Sequence, residues 1–192
     1  MILYLHGFRS SPYSMKARLL AQAMAQRGRA EEFVCPQLPA SPAEAIALAA
    51  QVIETQVAQH GVDSVCLTGS SLGGYYATYL AEKYGCRAML INPAVKPPRD
   101  LEKYVGVTTA YHSDEVFEFK AHYVDELRAL AIEQITQPER YFLMAATGDE
   151  VLDWREMQAH YPLARQQIIE GSDHSVSEFA DYLDDVMAWC DE

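Results

Sequence analysis

No apolar run in this 192-residue chain approaches the ~18–20 residues that a membrane-crossing helix requires. The opening residues, M-I-L-Y-L, are apolar. They lack a basic segment before them, are too short for the core of an export signal, and run at once into His6. They read as a strand, and the chain is expected to be cytoplasmic with no membrane partner. Basic residues are scarce: 15 Lys+Arg stand against 27 Asp+Glu, a formal net charge of −12. No Lys/Arg cluster interrupts that field, which excludes a nucleic-acid surface and weighs against highly anionic substrates. Both phosphate fingerprints, G-x-G-x-x-G and G-x-x-x-x-G-K-[ST], are missing. The four cysteines, Cys35, Cys66, Cys86 and Cys190, form no C-x-x-C pair and no close Cys/His cluster. A zinc site is therefore not expected, no cofactor is implied, and the cysteines read as reduced structural thiols. There is no repeat, no low-complexity segment and no linker.

What remains is an alternation of short apolar runs with longer helical stretches. Strands are expected at 2–5, 33–35, 65–68, 88–91, 141–146 and 167–169, and helices at 14–27, 42–59 and 72–84. Ser41 to Glu44, S-P-A-E, reads as a capping box with Pro42 at the first helical position, and Gly61 as the stop. Ser175 to Glu178, S-V-S-E, reads as a second capping box, opening a final helix that reaches about Trp189. This order predicts one α/β domain over residues 1–192, a mostly parallel sheet of about six strands with helices on both faces. Residues 95–138 break the rhythm. They carry Pro97, Pro98 and the aromatics Tyr104, Tyr111, Phe117, Phe119 and Tyr123, with a helix expected at 123–135. The segment reads as an insert over one end of the sheet, its aromatics serving as anchors rather than as an acyl pocket.

The sharpest chemical signal is Gly69-Ser70-Ser71-Leu72-Gly73, a G-x-S-x-G set between an apolar strand and a helical pattern. Alone the motif arises by chance in many chains. In that context it is a nucleophile elbow, a turn too tight for side chains two residues before or after the serine. The glycine register selects Ser71 over its neighbour Ser70. A serine needs a base, and six histidines are available. His60 precedes a helix stop, and His112, His122 and His160 fall in surface patterns. His174 sits between the last strand and the last helix, which favours it as the base. The acid should follow the penultimate strand, and Asp149 comes first there. Asp153 competes for the role but also suits the cap of a helix starting near Trp154. Two backbone donors would hold an oxyanion, the amide of Leu72 and that of Phe8 in the H-G-F turn after the first strand. His6 reads as an ordering residue for that loop.

Taken together, L-Y-L-H-G-F-x-S-S-P, P-Q-L-P, G-S-S-L-G-G-Y-Y-A-T, N-P-A-V, T-G-D-E-V-L-D and I-E-G-x-x-H resemble the bacterial YqiA/YcfP-type esterases. The resemblance covers nearly the whole chain and is weakest across 96–138. It implies a minimal α/β-hydrolase fold and activity on short acyl esters, with acyl-CoA thioesters as a further class. It places the nucleophile at Ser71, the acid at Asp149 and the base at His174. The chain departs from the family's G-G-N-H-A-F around the histidine, reading G-S-D-H-S-V. The expected partner is a small acyl ester or thioester. An amidase or peptidase with the same triad, and a non-catalytic binding module on the same fold, are the alternatives. Neither reading fixes acyl length or oligomeric state.

Overall fold

A computed structural model describes residues 1–109 and 116–192; Tyr111 and His112 lie outside the described residues. Eight strands and seven α-helices are described: β1 Ile2–Leu5, α1 Met15–Gln26, β2 Phe33–Val34, α2 Pro42–His60, β3 Cys66–Ser70, α3 Leu72–Tyr84, β4 Arg87–Ile91, α4 Pro97–Leu101, β5 Gly106–Thr109, β6 Val116–Phe119, α5 Ala121–Ala129, β7 Tyr141–Ala146, α6 Trp154–His160, β8 Arg165–Ile169 and α7 Leu183–Asp191. Six strands form one parallel sheet in the order β2-β1-β3-β4-β7-β8. This is the parallel α/β architecture expected from the alternation of elements, and the α/β-hydrolase fold that the resemblance implies.

The sheet is buried on both faces, which explains its unbroken apolar strands. Alternate residues sort to opposite sides. Leu3, Leu5, Leu67, Ala88, Leu90 and Leu143 pack with α2, α3 and α5. Ile2, Tyr4, Cys66, Met89, Ile91, Phe142 and Met144 pack with α1 and α7. A parallel sheet of this order leaves its strand-end loops together at the carboxyl edge, where Ser71, Asn92 and Asp149 all fall.

Local sequence sets several boundaries. The Ser41 hydroxyl accepts from the Glu44 amide at 3.2 Å, and Pro42 opens α2. Gly85, at φ 78°, closes α3 in the left-handed region that glycine enters without strain. The second expected capping box is not one. Val176, inside it, has φ 48° and is fully buried, and the Ser175 carbonyl is taken by Lys16. Burial of Val176 and Phe179 outweighs the local cap signal, so α7 begins only at Leu183 after a 3₁₀ turn over Phe179–Tyr182.

The segment between β4 and β7 also differs from expectation. Its helix is Ala121–Ala129 rather than 123–135. The Leu130 amide closes it by bonding the Leu127 carbonyl, and Thr136 bonds the Glu82 carboxylate, pulling the return chain onto α3. Before it stands an antiparallel hairpin of β5 and β6 that the sequence reading missed.

Candidate active site

β3 ends at Ser70, which is buried, and the next residue turns sharply. Ser71 has φ 56° and ψ −122°, a conformation costly for a residue with a side chain. It also forms the N-cap of α3. The turn is so tight that a Cβ on Gly69 would stand 2.3 Å from the Gly73 carbonyl oxygen, and one on Gly73 would stand 1.9 Å from that of Leu5. Only glycine fits at either place. Backbone bonds fix the turn: the Ser71 amide donates to Ile91 O at 3.0 Å, and the Ala94 amide donates to Ser71 O at 3.0 Å.

His174 brings its Nε2 to 3.0 Å from Ser71 Oγ. Its Nδ1 lies 2.7 Å from Asp149 Oδ2. A carboxylate oxygen accepts, so Nδ1 carries the proton and Nε2 presents its lone pair to the serine hydroxyl. The Asp149 side chain is fully buried. Its Oδ1 accepts from the amides of Val151 and Leu152 at 2.8 and 2.9 Å. The structure thus brings together the three side chains that the sequence singled out. Asp153 is elsewhere, capping α6 by accepting from the Arg155 amide at 2.9 Å. His60 ends α2, and both it and His122 are exposed. His160 packs edge-on against Tyr161. Asp173, beside the base, turns away to accept from the Ser177 amide and hydroxyl, which hold its carboxyl below the usual range.

The loop after β1 comes next to the nucleophile. A Cβ on Gly7 would lie 3.2 Å from Ser71 Cβ and 3.7 Å from its Oγ. His6 is buried behind this loop. The Leu38 amide donates to its Nε2 at 3.0 Å, so the ring proton is on Nδ1, which donates to Gly7 O at 3.0 Å. Burial lowers the pKa of His6 and keeps it neutral. Its two ring nitrogens tie the loop at Gly7 to the chain at Leu38. Phe8 follows, packing edge-on against Phe119 and tilted against Tyr104, at centroid distances of 5.2 and 5.5 Å. Phe119 and Tyr123 stack on at 5.6 Å, so these aromatics anchor the β4–β7 segment beside the site. The Phe117 side chain is outside the described positions. Arg9 donates to both the carbonyl and the hydroxyl of Thr109 on β5.

Three supporting residues were not found from sequence. Asn92 is fully buried with φ 41°. Its Nδ2 donates to the carbonyls of Asp173 and His174 at 3.2 and 3.0 Å, and its Oδ1 accepts from the Ala146 amide at 2.8 Å. One side chain therefore ties the base loop to the strand leading to the acid. Glu150 Oε2 accepts from the His174 amide at 3.0 Å. Lys16 is 8% exposed and donates to Ser175 O at 2.5 Å. Burial brings its pKa down to about 8, opposed by the charges of Asp173 and Asp149. The N-P pair at 92–93 was legible only as a strand end, and nothing local marks a buried lysine on an amphipathic helix. The acid and base loops are also zipped directly: the Gly148 amide donates to Gly171 O at 2.6 Å, and the Gly171 amide to Thr147 Oγ1 at 2.8 Å.

Among the described residues, no group of three or more His, Cys, Asp or Glu is placed to hold a metal ion. No helix among them is long and apolar enough to cross a membrane.

Solved structures share this architecture. Est1E from Butyrivibrio proteoclasticus, with ferulic acid bound, superposes at a TM-score of 0.74 with 11% identity, covering 97% of this chain and 87% of its own. A structure of the metagenome-derived lipolytic enzymes LipS and LipT gives 0.71 at 19% identity, covering 98% and 92%. The esterase domain of a Rhodothermus marinus protein gives 0.64 at 17%, covering 98% and 85%. At these identities the likeness speaks to the fold, and the second and third of these neighbours are described as lipolytic enzymes and as an esterase domain. The family evidence is of another kind: the profile of an uncharacterised protein family, UPF0227, matches residues 1–191, and the chain belongs to that family, the one the YqiA/YcfP resemblance indicated.

Proposed function

We propose that this protein is a cytoplasmic serine hydrolase cleaving small carboxylic esters of short to medium acyl chain, with acyl-CoA thioesters as a further substrate class. The observation that carries this reading is the unbroken hydrogen-bonded relay from Ser71 Oγ through His174 to Asp149, mounted on a strained elbow at the carboxyl edge of the sheet. His174 Nε2 takes the serine proton as Oγ attacks the acyl carbonyl. Asp149 fixes the ring tautomer and stabilises the imidazolium. The amides of Leu72, first residue of α3, and Phe8 hold the developing oxyanion. His174 returns the proton to the leaving alcohol or thiol, then activates the water that releases the acyl group. Residues 95–138 act in this scheme as a cap on a single domain, fastened to the oxyanion loop through Phe8 and Arg9.

The lipolytic and esterase descriptions of two structural neighbours add support by analogy. The test is hydrolysis of p-nitrophenyl butyrate by wild type, Ser71→Ala and Ser70→Ala, with circular dichroism to check folding. Loss of turnover in Ser71→Ala alone is the expected result. A folded but inactive wild type, or an active Ser71→Ala, refutes the mechanism for that ester.

A further inference from the structure

At the opposite edge of the sheet, β3 begins with Cys66, whose backbone pairs with β1 and β4. Its thiol points to the face covered by α7, where Cys190 stands. The two sulfurs are 2.8 Å apart, with Cys66 donating to Cys190. The Thr68 hydroxyl lies 3.7 Å from the Cys190 sulfur. A disulfide bond is about 2.05 Å long, so closure needs a sulfur movement of under about 1 Å. The pair is also asymmetric in access. Cys66 is buried, whereas Cys190 is only partly buried. Cys190 lines a cavity of about 710 Å³ together with Arg29, Glu32, His60, Asp63 and Asp191. Arg29 and the Met1 amine stand there against the carboxylates of Glu31, Glu32, Asp63, Asp191 and Glu192.

We propose that Cys66 and Cys190 are a reversible redox modification site, closed to an internal disulfide by a low-molecular-mass disulfide of the glutathione class. Cys190 attacks the reagent from the cavity, giving a mixed disulfide and releasing one thiol. The Cys66 sulfur then attacks the Cys190 sulfur, its proton leaving with the second released thiol. Two protein thiols are oxidised by two electrons, and one small disulfide is reduced to two thiols. The division of labour follows exposure: an accessible attacking cysteine beside a resolving one is the arrangement of redox-responsive pairs. The bond to Cys190 and burial raise the Cys66 pKa, so the second step is the slow one. Burial also pushes the Cys35 and Cys86 thiols up, to about 12 and about 11, leaving them poor competitors. The product would staple α7 to β3, the strand that leads into Ser71. This inference does not rest on the hydrolase reading.

The test is oxidation of the reduced full-length protein by glutathione disulfide at pH 8, followed by denaturing alkylation and peptide mapping. Wild type should lose two alkylatable thiols and yield a linked Cys66–Cys190 peptide that dithiothreitol reverses. Cys66→Ser should stop at one glutathione on Cys190, and Cys190→Ser should leave Cys66 unmodified. Four free thiols in oxidised wild type, a linkage through Cys35 or Cys86, or a link between chains would each overturn the proposal.

Discussion

The parallel sheet and the excursion between β4 and β7 solve the same problem differently. In the sheet, every residue of β1, β3 and β7 is buried, so each strand is held from two sides. The excursion keeps α4, a hairpin and α5 in place with a few anchors, Leu101, Phe119, Val124 and Leu127, while Val105 and Val107 remain exposed. Where burial is two-sided, geometry is held tightly enough to place reacting atoms. Where it is one-sided, a segment can cover a site without fixing it.

That contrast is open to attack at five points. Ser71→Ala should lower ester turnover by about 10⁴-fold or more with the fold intact, measured by initial rates beside circular dichroism. Asn92→Ala comes next. It leaves the carbonyls of Asp173 and His174 and the Ala146 amide without their partner. Turnover should drop about 100-fold and stability by about 2–3 kcal/mol in urea unfolding; an unchanged rate would show that the two loops hold themselves. Phe119→Ala removes the main anchor of the excursion. It should cost about 3 kcal/mol and, by releasing Phe8, about tenfold in turnover. A loss of stability without a loss of rate would separate the excursion from the loop after β1.

Lys16→Met should divide stability from activity. The folded amine titrates at about 8 rather than at 10.5. Below pH 8 the fold carries a buried charge that the unfolded chain holds in water, a cost of up to about 3 kcal/mol. As pH rises from about 8 to 10.5 the folded amine is neutral while the unfolded one stays charged, so that cost is progressively relieved. The variant should be about 1–2 kcal/mol more stable than wild type at pH 7, and should lose this rise with pH. Its turnover should fall several-fold because Ser175 O loses its donor. Val107→Ser, at an exposed hairpin position, should change stability by less than about 0.5 kcal/mol and leave the rate alone.

The same contrast governs what could be read in advance. The bounds of β1, α3 and β7 follow from apolar runs and a closing glycine, signals carried within one segment. The three side chains that meet at the carboxyl edge were legible because each sits at a fixed distance from a strand end: Ser71 in its glycine register, Asp149 after β7, His174 after β8. Asn92 and Lys16 were not, because their value lies in carbonyls 81 to 159 residues away. Ser175 misled because Val176 is drawn into the core, a tertiary gain that no local pattern announces. The hairpin was missed because four-residue strands, one of them opening on a glycine, give too few alternations to count.

The zipper between the loops after β7 and β8 has a consequence for inheritance and for engineering. Thr147, Gly148 and Gly171 bind the loops of Asp149 and His174 to each other independently of Ser71. Residues 141–174 are thus a cartridge that carries the Asp149–His174 pair already hydrogen-bonded, and Asn92 is the socket that receives it. Amide exchange should report Gly148 and Gly171 opening as one unit. A cartridge transplanted from a relative should keep its internal alignment wherever the recipient sheet supplies the same asparagine.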